Sequence, residues 1–211
     1  MNDIIQQIAK LKIVPVVAID KASDAPALAE ALVKGGLPIA EITFRTAAAP
    51  EAIKAAAKIP GMLVGAGTVL TVDQVKQAVD LGSKFIVSPG LNPKVVKYCV
   101  DNKIPVTPGI ATATELEMAL DHGLNVVKFF PAESIGGIKM IKALAAPYGM
   151  MKFMPTGGIT TDNLADYLKF PAVLACGGSW MVAKDLISAG KFDQITEITK
   201  AAVKLANEIR P

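Results

Sequence analysis

The sequence predicts an α/β fold, specifically a (β/α)8 TIM barrel formed by a single domain. Eight short apolar segments rich in β-forming residues recur along the chain, and stretches with helical spacing separate them. The segments begin about 20 to 27 residues apart, which leaves room for one crossover helix and two short loops in each unit. Because the segments are apolar without alternation, they are typical of strands that are buried on both faces of a parallel sheet.

The elements follow each other in the order that such a barrel requires. The candidate strands are residues 13–19, 38–44, 62–66, 85–87, 104–106, 125–129, 152–154 and 173–176. The clearest candidate helices are residues 25–34, 52–58, 72–81 and 114–122, with an N-terminal flanking helix at residues 1–10 and a last helix at residues 191–209. A doubly wound open sheet is the alternative, and the absence of a dinucleotide-binding fingerprint after the first strand disfavours it.

The composition is typical of one globular domain that spans residues 1–211. Of these residues, 52% are hydrophobic and 19% are charged, and no linker or low-complexity segment divides the chain. The 22 Lys and Arg residues are mixed with 19 Asp and Glu residues, which gives a net charge of +3 without the basic stripe typical of nucleic-acid binding. A small positive charge suits an anionic metabolite, but it is equally ordinary in a protein that binds no charged molecule.

The distribution of cysteines and apolar runs predicts a cytoplasmic protein that is not bound to a membrane. Cys99 and Cys176 lie far apart without a CxxC pairing, which argues against a disulfide framework and a structural zinc site. The N-terminal segment lacks the basic start of a signal peptide, and no apolar run reaches the roughly 20 residues needed to cross a bilayer. His122 is the one histidine and fits a helix C-terminus, so we predict neither a metal nor another cofactor.

Lys128 is the first candidate for chemistry, because a barrel places its reactive groups at the carboxyl ends of strands and in the loops that follow. The other residues of its strand are apolar. An apolar environment disfavours the ammonium form of lysine, and the neutral amine is the form that attacks a ketone to give an imine. The alternative is a structural lysine whose chain extends from the strand end to solvent.

Glu41 also lies within an apolar strand, and Arg45 follows it past the strand end. A buried carboxylate costs free energy unless it is paired or functional. One interpretation pairs these two side chains structurally. The other assigns proton transfer to Glu41 and binding of a substrate carboxylate to the two-pronged guanidinium of Arg45.

A glycine-containing turn follows the third candidate strand. Its sequence, Gly65-Ala-Gly-Thr68, does not match the dinucleotide fingerprint because Leu70 stands where the third glycine is required. Two interpretations remain open. The segment is either a tight turn without a ligand, or a turn whose amides and Thr68 hydroxyl donate to a carboxylate.

Two further glycine turns come after the seventh and eighth candidate strands. Thr156, Gly157 and Gly158 follow the seventh strand, while Gly178 and Ser179 follow the eighth. Glycine lets backbone amides approach an anion closely, and barrel enzymes commonly bind phosphate at this pair of loops. Each doublet alone is typical of an ordinary turn, but their joint position predicts a phosphate site.

Six motifs, in this order and spacing, resemble those of the 2-keto-3-deoxy-6-phosphogluconate (KDPG) aldolases, a family that includes 4-hydroxy-2-oxoglutarate (KHG) aldolases. The motifs are EITFRT at residues 41–46, GAGT at 65–68, SPG at 88–90, KFFPA at 128–132, PTGG at 155–158 and GGSW at 177–180. The resemblance extends over nearly the whole chain. It implies a metal-independent class I aldolase on a (β/α)8 barrel, usually a homotrimer, that acts in the Entner–Doudoroff route of sugar-acid breakdown.

The resemblance also implies a role for individual residues. Lys128 matches the imine-forming lysine and Glu41 the proton-transferring glutamate. The positions that match or adjoin the pyruvate site are Arg45, Thr68, Pro89 and Phe130. The positions assigned to the phosphate and aldehyde part of the substrate are Thr156, Gly157, Gly158, Gly178 and Ser179.

These implications leave alternatives for the substrate and for the activity. The galactonate epimer of KDPG and 4-hydroxy-2-oxoglutarate are cleaved by related aldolases with the same lysine and glutamate. A phosphate-binding isomerase or synthase would use the glycine turns without an imine and would tolerate Lys128→Arg. A non-enzymatic barrel would bind ligand without turnover, and the presence of Glu41 together with Lys128 disfavours that alternative.

Overall fold

The computed structural model describes residues 3–211 as strands and helices that alternate along the chain. The strands are β1 (Ile13–Val17), β2 (Ile39–Thr43), β3 (Leu63–Gly67), β4 (Phe85–Val87), β5 (Val106–Thr107), β6 (Gly109–Ile110), β7 (Val126–Phe129), β8 (Lys152–Pro155) and β9 (Cys176–Gly178). The helices are α1 (Asp3–Leu11), α2 (Ala25–Lys34), α3 (Ala49–Ala56), α4 (Val72–Asp80), α5 (Pro93–Asp101), α6 (Ala113–Asp121), α7 (Gly137–Ala145), α8 (Leu164–Leu168), α9 (Lys184–Ser188) and α10 (Phe192–Ile209).

The helices form largely where the sequence predicts them. The flanking helix predicted at residues 1–10 corresponds to α1, and its first two residues lie outside the described part of the chain. Polar caps define several starts: the Thr71 side chain accepts a hydrogen bond from the Gln74 amide at α4, and Thr112 forms a capping box with Glu115 at α6. The helix predicted at residues 52–58 begins three residues earlier, because Pro50 lies in the first turn of α3.

All strand pairs are parallel, but the prediction of a closed (β/α)8 TIM barrel is wrong. The strands form a curled six-stranded sheet in the order β5-β4-β3-β2-β1-β9 and a separate three-stranded sheet in the order β6-β7-β8. Only isolated bridges, Phe153 with Val173 and Thr156 with Gly177, connect β8 to the region of β9. The structure is therefore two parallel sheets with packed helices instead of one continuous eight-stranded ladder.

Proline and an arginine explain where the ladder is interrupted. Pro108 separates β5 from β6, and Pro155 ends β8; neither residue has a backbone N–H group to donate to a neighbouring strand. The guanidinium of Arg210 donates to the carbonyl oxygens of Val173 and Leu174, at 2.7 and 2.6 Å. These two residues belong to the strand predicted at 173–176, of which only Cys176 lies in β9.

The strands nevertheless bring the predicted functional residues to one end of the molecule. Parallel strands place their carboxyl ends at the same edge of a sheet, where α/β proteins bind their ligands. The strands β1, β2 and β3 are buried along their whole length, which fixes the position of the groups at their ends. None of the helices within residues 3–211 has the length and apolar character needed to cross a membrane.

Candidate active site

The centre of the candidate site is a buried ion pair between β7 and β2. The Lys128 Nζ atom lies 3.1 Å from the Glu41 Oε1 atom, and the two residues are only 5% and 2% exposed. The strand β7 belongs to the three-stranded sheet and β2 to the six-stranded sheet, so the pair connects the two. Because the lysine is buried and bonded to Glu41, it does not extend to solvent as the structural alternative requires.

Arg45 does not pair with Glu41, which was one of the two interpretations of the sequence, but binds Thr43. Its Nε atom donates to the Thr43 hydroxyl at 3.0 Å, and that hydroxyl donates to the Val17 carbonyl oxygen at 2.7 Å. Thr43 therefore anchors the guanidinium at the end of β2. Glu41 pairs with Lys128 instead, which leaves Arg45 with donors for another anion.

Two glycines in β3 make room for neighbouring side chains, Gly67 for Glu41 and Gly65 for Phe85. A Cβ atom at Gly67 would overlap the Glu41 carboxylate, and one at Gly65 would overlap the Phe85 ring. Both glycines are paired with β2, Gly65 with Glu41 and Gly67 with Thr43. The sequence predicts a strand only to residue 66 and a turn at Gly67, because sequence spacing does not reveal which strand packs beside this residue.

The residues assigned to the pyruvate side differ in their distance from Lys128 on β7. The centre of the Phe130 ring is 5.1 Å from the Lys128 Nζ atom. Gly109 is paired with Lys128 in the parallel ladder, and a Cβ atom at Gly109 would overlap the Pro89 carbonyl group. Pro89 is thus one strand away from the lysine. Thr68 follows the end of β3 with a positive φ of 55°, a conformation that is uncommon for a residue other than glycine.

The two late glycine turns line one cavity of about 140 Å³. Arg45 and Phe130 contribute to its wall. All five residues predicted to bind the phosphate also line it, namely Thr156, Gly157, Gly158, Gly178 and Ser179. The structure therefore brings all five together, although the two turns are about twenty residues apart in the sequence. We refer to this space as the anion cavity.

Packing at the ends of β8 and β9 explains the glycines of the second turn. A Cβ atom at Gly177 would overlap the Thr156 hydroxyl, and one at Gly178 would overlap the Trp180 ring. His122, which is predicted to have no chemical role, is the residue that follows α6. Among residues 3–211, no three His, Cys, Asp or Glu side chains are grouped so that they could hold a metal ion. The expectation of an activity without cofactors stays a prediction.

The family was decided by comparison with known proteins. The family model described as KDPG and KHG aldolase matches residues 4–198. The chain belongs to this aldolase family. Among curated relatives, the 2-dehydro-3-deoxy-phosphogluconate aldolase of Treponema pallidum is 49% identical over 206 residues, 97% of this chain and 98% of the relative. The corresponding aldolase of Haemophilus influenzae is 50% identical over 205 residues, 97% of each chain.

Solved structures of aldolases from this family resemble the chain equally closely. The Zymomonas mobilis KDPG aldolase with 3-phosphoglycerate has a TM-score of 0.89 and 43% identity, covering 94% of each chain. The Legionella pneumophila KDPG aldolase, in which pyruvate was captured as a covalent carbinolamine intermediate, has a TM-score of 0.91 and 38% identity. That match covers 95% of this chain and 98% of the other. The family resemblance predicted from the sequence motifs is therefore confirmed.

Proposed function

We propose that this protein is a class I aldolase that cleaves 2-dehydro-3-deoxy-6-phosphogluconate to pyruvate and glyceraldehyde 3-phosphate. The observation that carries the proposal is the buried pair of Lys128 on β7 and Glu41 on β2, 3.1 Å apart. An ammonium beside a carboxylate can lose a proton to that carboxylate and become a nucleophilic amine. Family membership and the names of the relatives support the same reaction.

The first half of the proposed cycle forms the imine. Glu41 takes a proton from the Lys128 ammonium, and the neutral amine attacks the C2 ketone of the substrate to give a carbinolamine. Glu41 then returns the proton to the departing hydroxyl group, which leaves as water. The product is a protonated imine, which accepts electrons from the bond that breaks next. The carbinolamine of pyruvate captured in the Legionella pneumophila relative supports this order of events.

The second half breaks the carbon–carbon bond. The Glu41 carboxylate accepts the proton of the C4 hydroxyl, and the C3–C4 bonding electrons move to the imine to form an enamine. Glyceraldehyde 3-phosphate leaves. The enamine carbon then takes the proton back from Glu41, and water hydrolyses the resulting protonated imine to release pyruvate and restore the Lys128 ammonium beside the Glu41 carboxylate.

The surrounding residues bind the two ends of the substrate in this proposal. Arg45, held by Thr43, binds the carboxylate of the pyruvate part together with Thr68, while Pro89 and Phe130 form the wall around the reacting ketone. The phosphate lies in the anion cavity against the amides of the two glycine turns. We further propose that the protein is one cytoplasmic domain that assembles as a homotrimer.

Cleavage of 4-hydroxy-2-oxoglutarate to pyruvate and glyoxylate is a second activity that the family model favours, since its description includes both substrates. The imine chemistry is the same for both. What differs is the use of the anion cavity, because the smaller substrate carries no phosphate. A comparison of the two substrates therefore separates the contribution of the Lys128 site from that of the anion cavity.

The proposal predicts that Lys128→Arg abolishes cleavage. Arginine keeps the positive charge beside Glu41 but has no neutral amine to form an imine, so kcat falls by at least about 10³-fold. Pyruvate release is measured with a coupled lactate dehydrogenase assay for KDPG, its galactonate epimer and 4-hydroxy-2-oxoglutarate. Lys152→Arg is the matched control, because the Lys152 side chain donates to the Pro171 carbonyl oxygen at the surface. Appreciable pyruvate release by Lys128→Arg would contradict the proposal, because cleavage would then not need an imine at Lys128.

A further inference from the structure

The glycine turn at residues 156–159 is held by hydrogen bonds to its carbonyl groups. The Ala132 amide donates to the Thr156 oxygen at 2.8 Å, and the Glu133 amide donates to the Gly157 oxygen at 3.1 Å. The Gly158 oxygen has a side-chain partner instead, the Nδ2 group of Asn163 at 2.9 Å. All three carbonyl groups are thereby directed to the segments behind the turn.

Fixing a carbonyl group also fixes the amide on the other side of the same peptide bond. A trans peptide unit is planar, so its N–H group points opposite to its C=O group. The bonds to the oxygens of Gly157 and Gly158 therefore direct the N–H groups of Gly158 and Ile159 away from Glu133 and Asn163. Neither N–H group has an acceptor among residues 3–211. Gly158 and Ile159 both line the anion cavity, where such donors suit a bound anion.

We propose that Asn163 is a positioning residue that orients the Ile159 amide, and with it the glycine turn, toward the phosphate of the substrate. Asn163 is held at both ends of its side-chain amide, because its Oδ1 atom accepts from the Thr160 N–H group at 2.9 Å. It is the one side chain bonded to a carbonyl of the turn in the described structure. This inference rests on the proposed function, since it assigns the anion cavity to the phosphate.

A second contact, with the Glu133 side chain, stabilises the same turn. The Glu133 side chain packs against Gly158, where an added Cβ atom would lie 2.6 Å from the Glu133 Cγ atom. The Tyr167 hydroxyl donates to the Glu133 carboxylate. Burial raises the pKa of Tyr167, and this hydrogen bond raises it further. The phenol therefore stays protonated and donates to Glu133. The positive φ of 79° at Gly158 is therefore maintained by Glu133 on one side and Asn163 on the other.

The test compares Asn163→Ala with the wild-type protein in binding inorganic phosphate, measured by ³¹P NMR titration. Without Asn163 the Gly158–Ile159 peptide can rotate, and we expect the dissociation constant to rise about tenfold, equivalent to about 1.4 kcal/mol. Thr161→Ala is the matched control, because Thr161 is an exposed polar residue that lies just past the glycine turn and two residues before Asn163. We expect its dissociation constant to stay within about twofold of the wild-type value.

A kinetic measurement distinguishes positioning from a general structural role. In Asn163→Ala, the KM for KDPG should rise about tenfold while kcat and the KM for 4-hydroxy-2-oxoglutarate stay within about twofold. An unchanged phosphate dissociation constant, or an equal loss for both substrates, overturns the role of Asn163. If phosphate binding weakens as expected but the wild-type protein cleaves no keto acid, the proposed function fails and the role of Asn163 at the anion cavity stands. A wild-type protein that binds no phosphate overturns the role of Asn163, whereas the proposed function is decided separately by cleavage of KDPG.

Discussion

Gly67 shows how a residue without a functional group controls the position of one that has it. A Cβ atom at this position would occupy the space of the Glu41 carboxylate, which lies 3.1 Å from the Lys128 amine. Any side chain would therefore displace Glu41 from the amine. The sequence offers Gly67 only as part of a turn motif, and its role depends on the register between β3 and β2.

We predict that Gly67→Ala lowers kcat for KDPG cleavage about 10²-fold, because small displacements of a catalytic group have costs of this size. The measurement is the pyruvate-release assay, with folding monitored by thermal unfolding. Gly149→Ala is the control, since a Cβ atom at Gly149 meets no atom within 4 Å and its φ is not positive. An active Gly67→Ala variant would mean that Glu41 is not required in the position observed.

The sequence identified the charged residues of the site more readily than the polar residues that position the groups around them. Lys128 and Glu41 were recognisable because a charge within an apolar strand is costly. Arg45 was a candidate as well, but its anchor, Thr43, was not. Asn163 escaped notice because an Asn after a glycine turn is ordinary, and only the structure shows its bond to the Gly158 oxygen.

At the level of elements, the sequence prediction overlaps β9 at only one residue, Cys176. The apolar run at residues 173–176 predicted a strand, and the following glycines predicted a loop. The structure instead pairs Cys176–Gly178 with β1, from Ile13 to Pro15. Glycine is disfavoured in strands by its flexibility, but here the Thr156 hydroxyl and the Trp180 ring occupy the space of any side chain at Gly177 and Gly178. Tertiary packing therefore outweighs local preference.

Arg210 connects α10 to the segment before β9, and we predict that Arg210→Ala lowers the free energy of unfolding by about 2 kcal/mol. Its guanidinium binds the carbonyl oxygens of Val173 and Leu174, which would lose charged donors. Urea denaturation measures the change. Lys204→Ala in the same helix is the control, because its ion pair with Glu208 is exposed and 3.9 Å long, and removing it should change stability by less than about 0.5 kcal/mol. Equal stabilities of the two variants would show that Arg210 does not brace this segment.

For the whole molecule, the local sequence pattern predicted parallel strands covered by helices, but it did not predict whether the sheet closes into a barrel. Apolar strands alternating with helices correctly indicated parallel strands and a common edge for the functional groups. Closure depends on hydrogen bonds between strands that are distant in sequence, and apolar periodicity does not report these. Pro108 and Pro155 lie at interruptions, yet Pro155 is predicted only as the start of the PTGG motif and Pro108 is not singled out by the sequence pattern. The predicted catalytic pair still forms without a closed barrel, because Lys128 and Glu41 meet across the two sheets.

The central claim is that Lys128 forms an imine with the substrate ketone, and trapping with pyruvate and borohydride tests it most directly. Borohydride reduces an imine to a stable amine, so mass spectrometry of the digested protein locates the adduct. We predict one reduced pyruvyl group per chain, on the peptide that contains Lys128, and none in Lys128→Arg. Absence of that mass from the Lys128 peptide, or its presence on another lysine, would contradict the account.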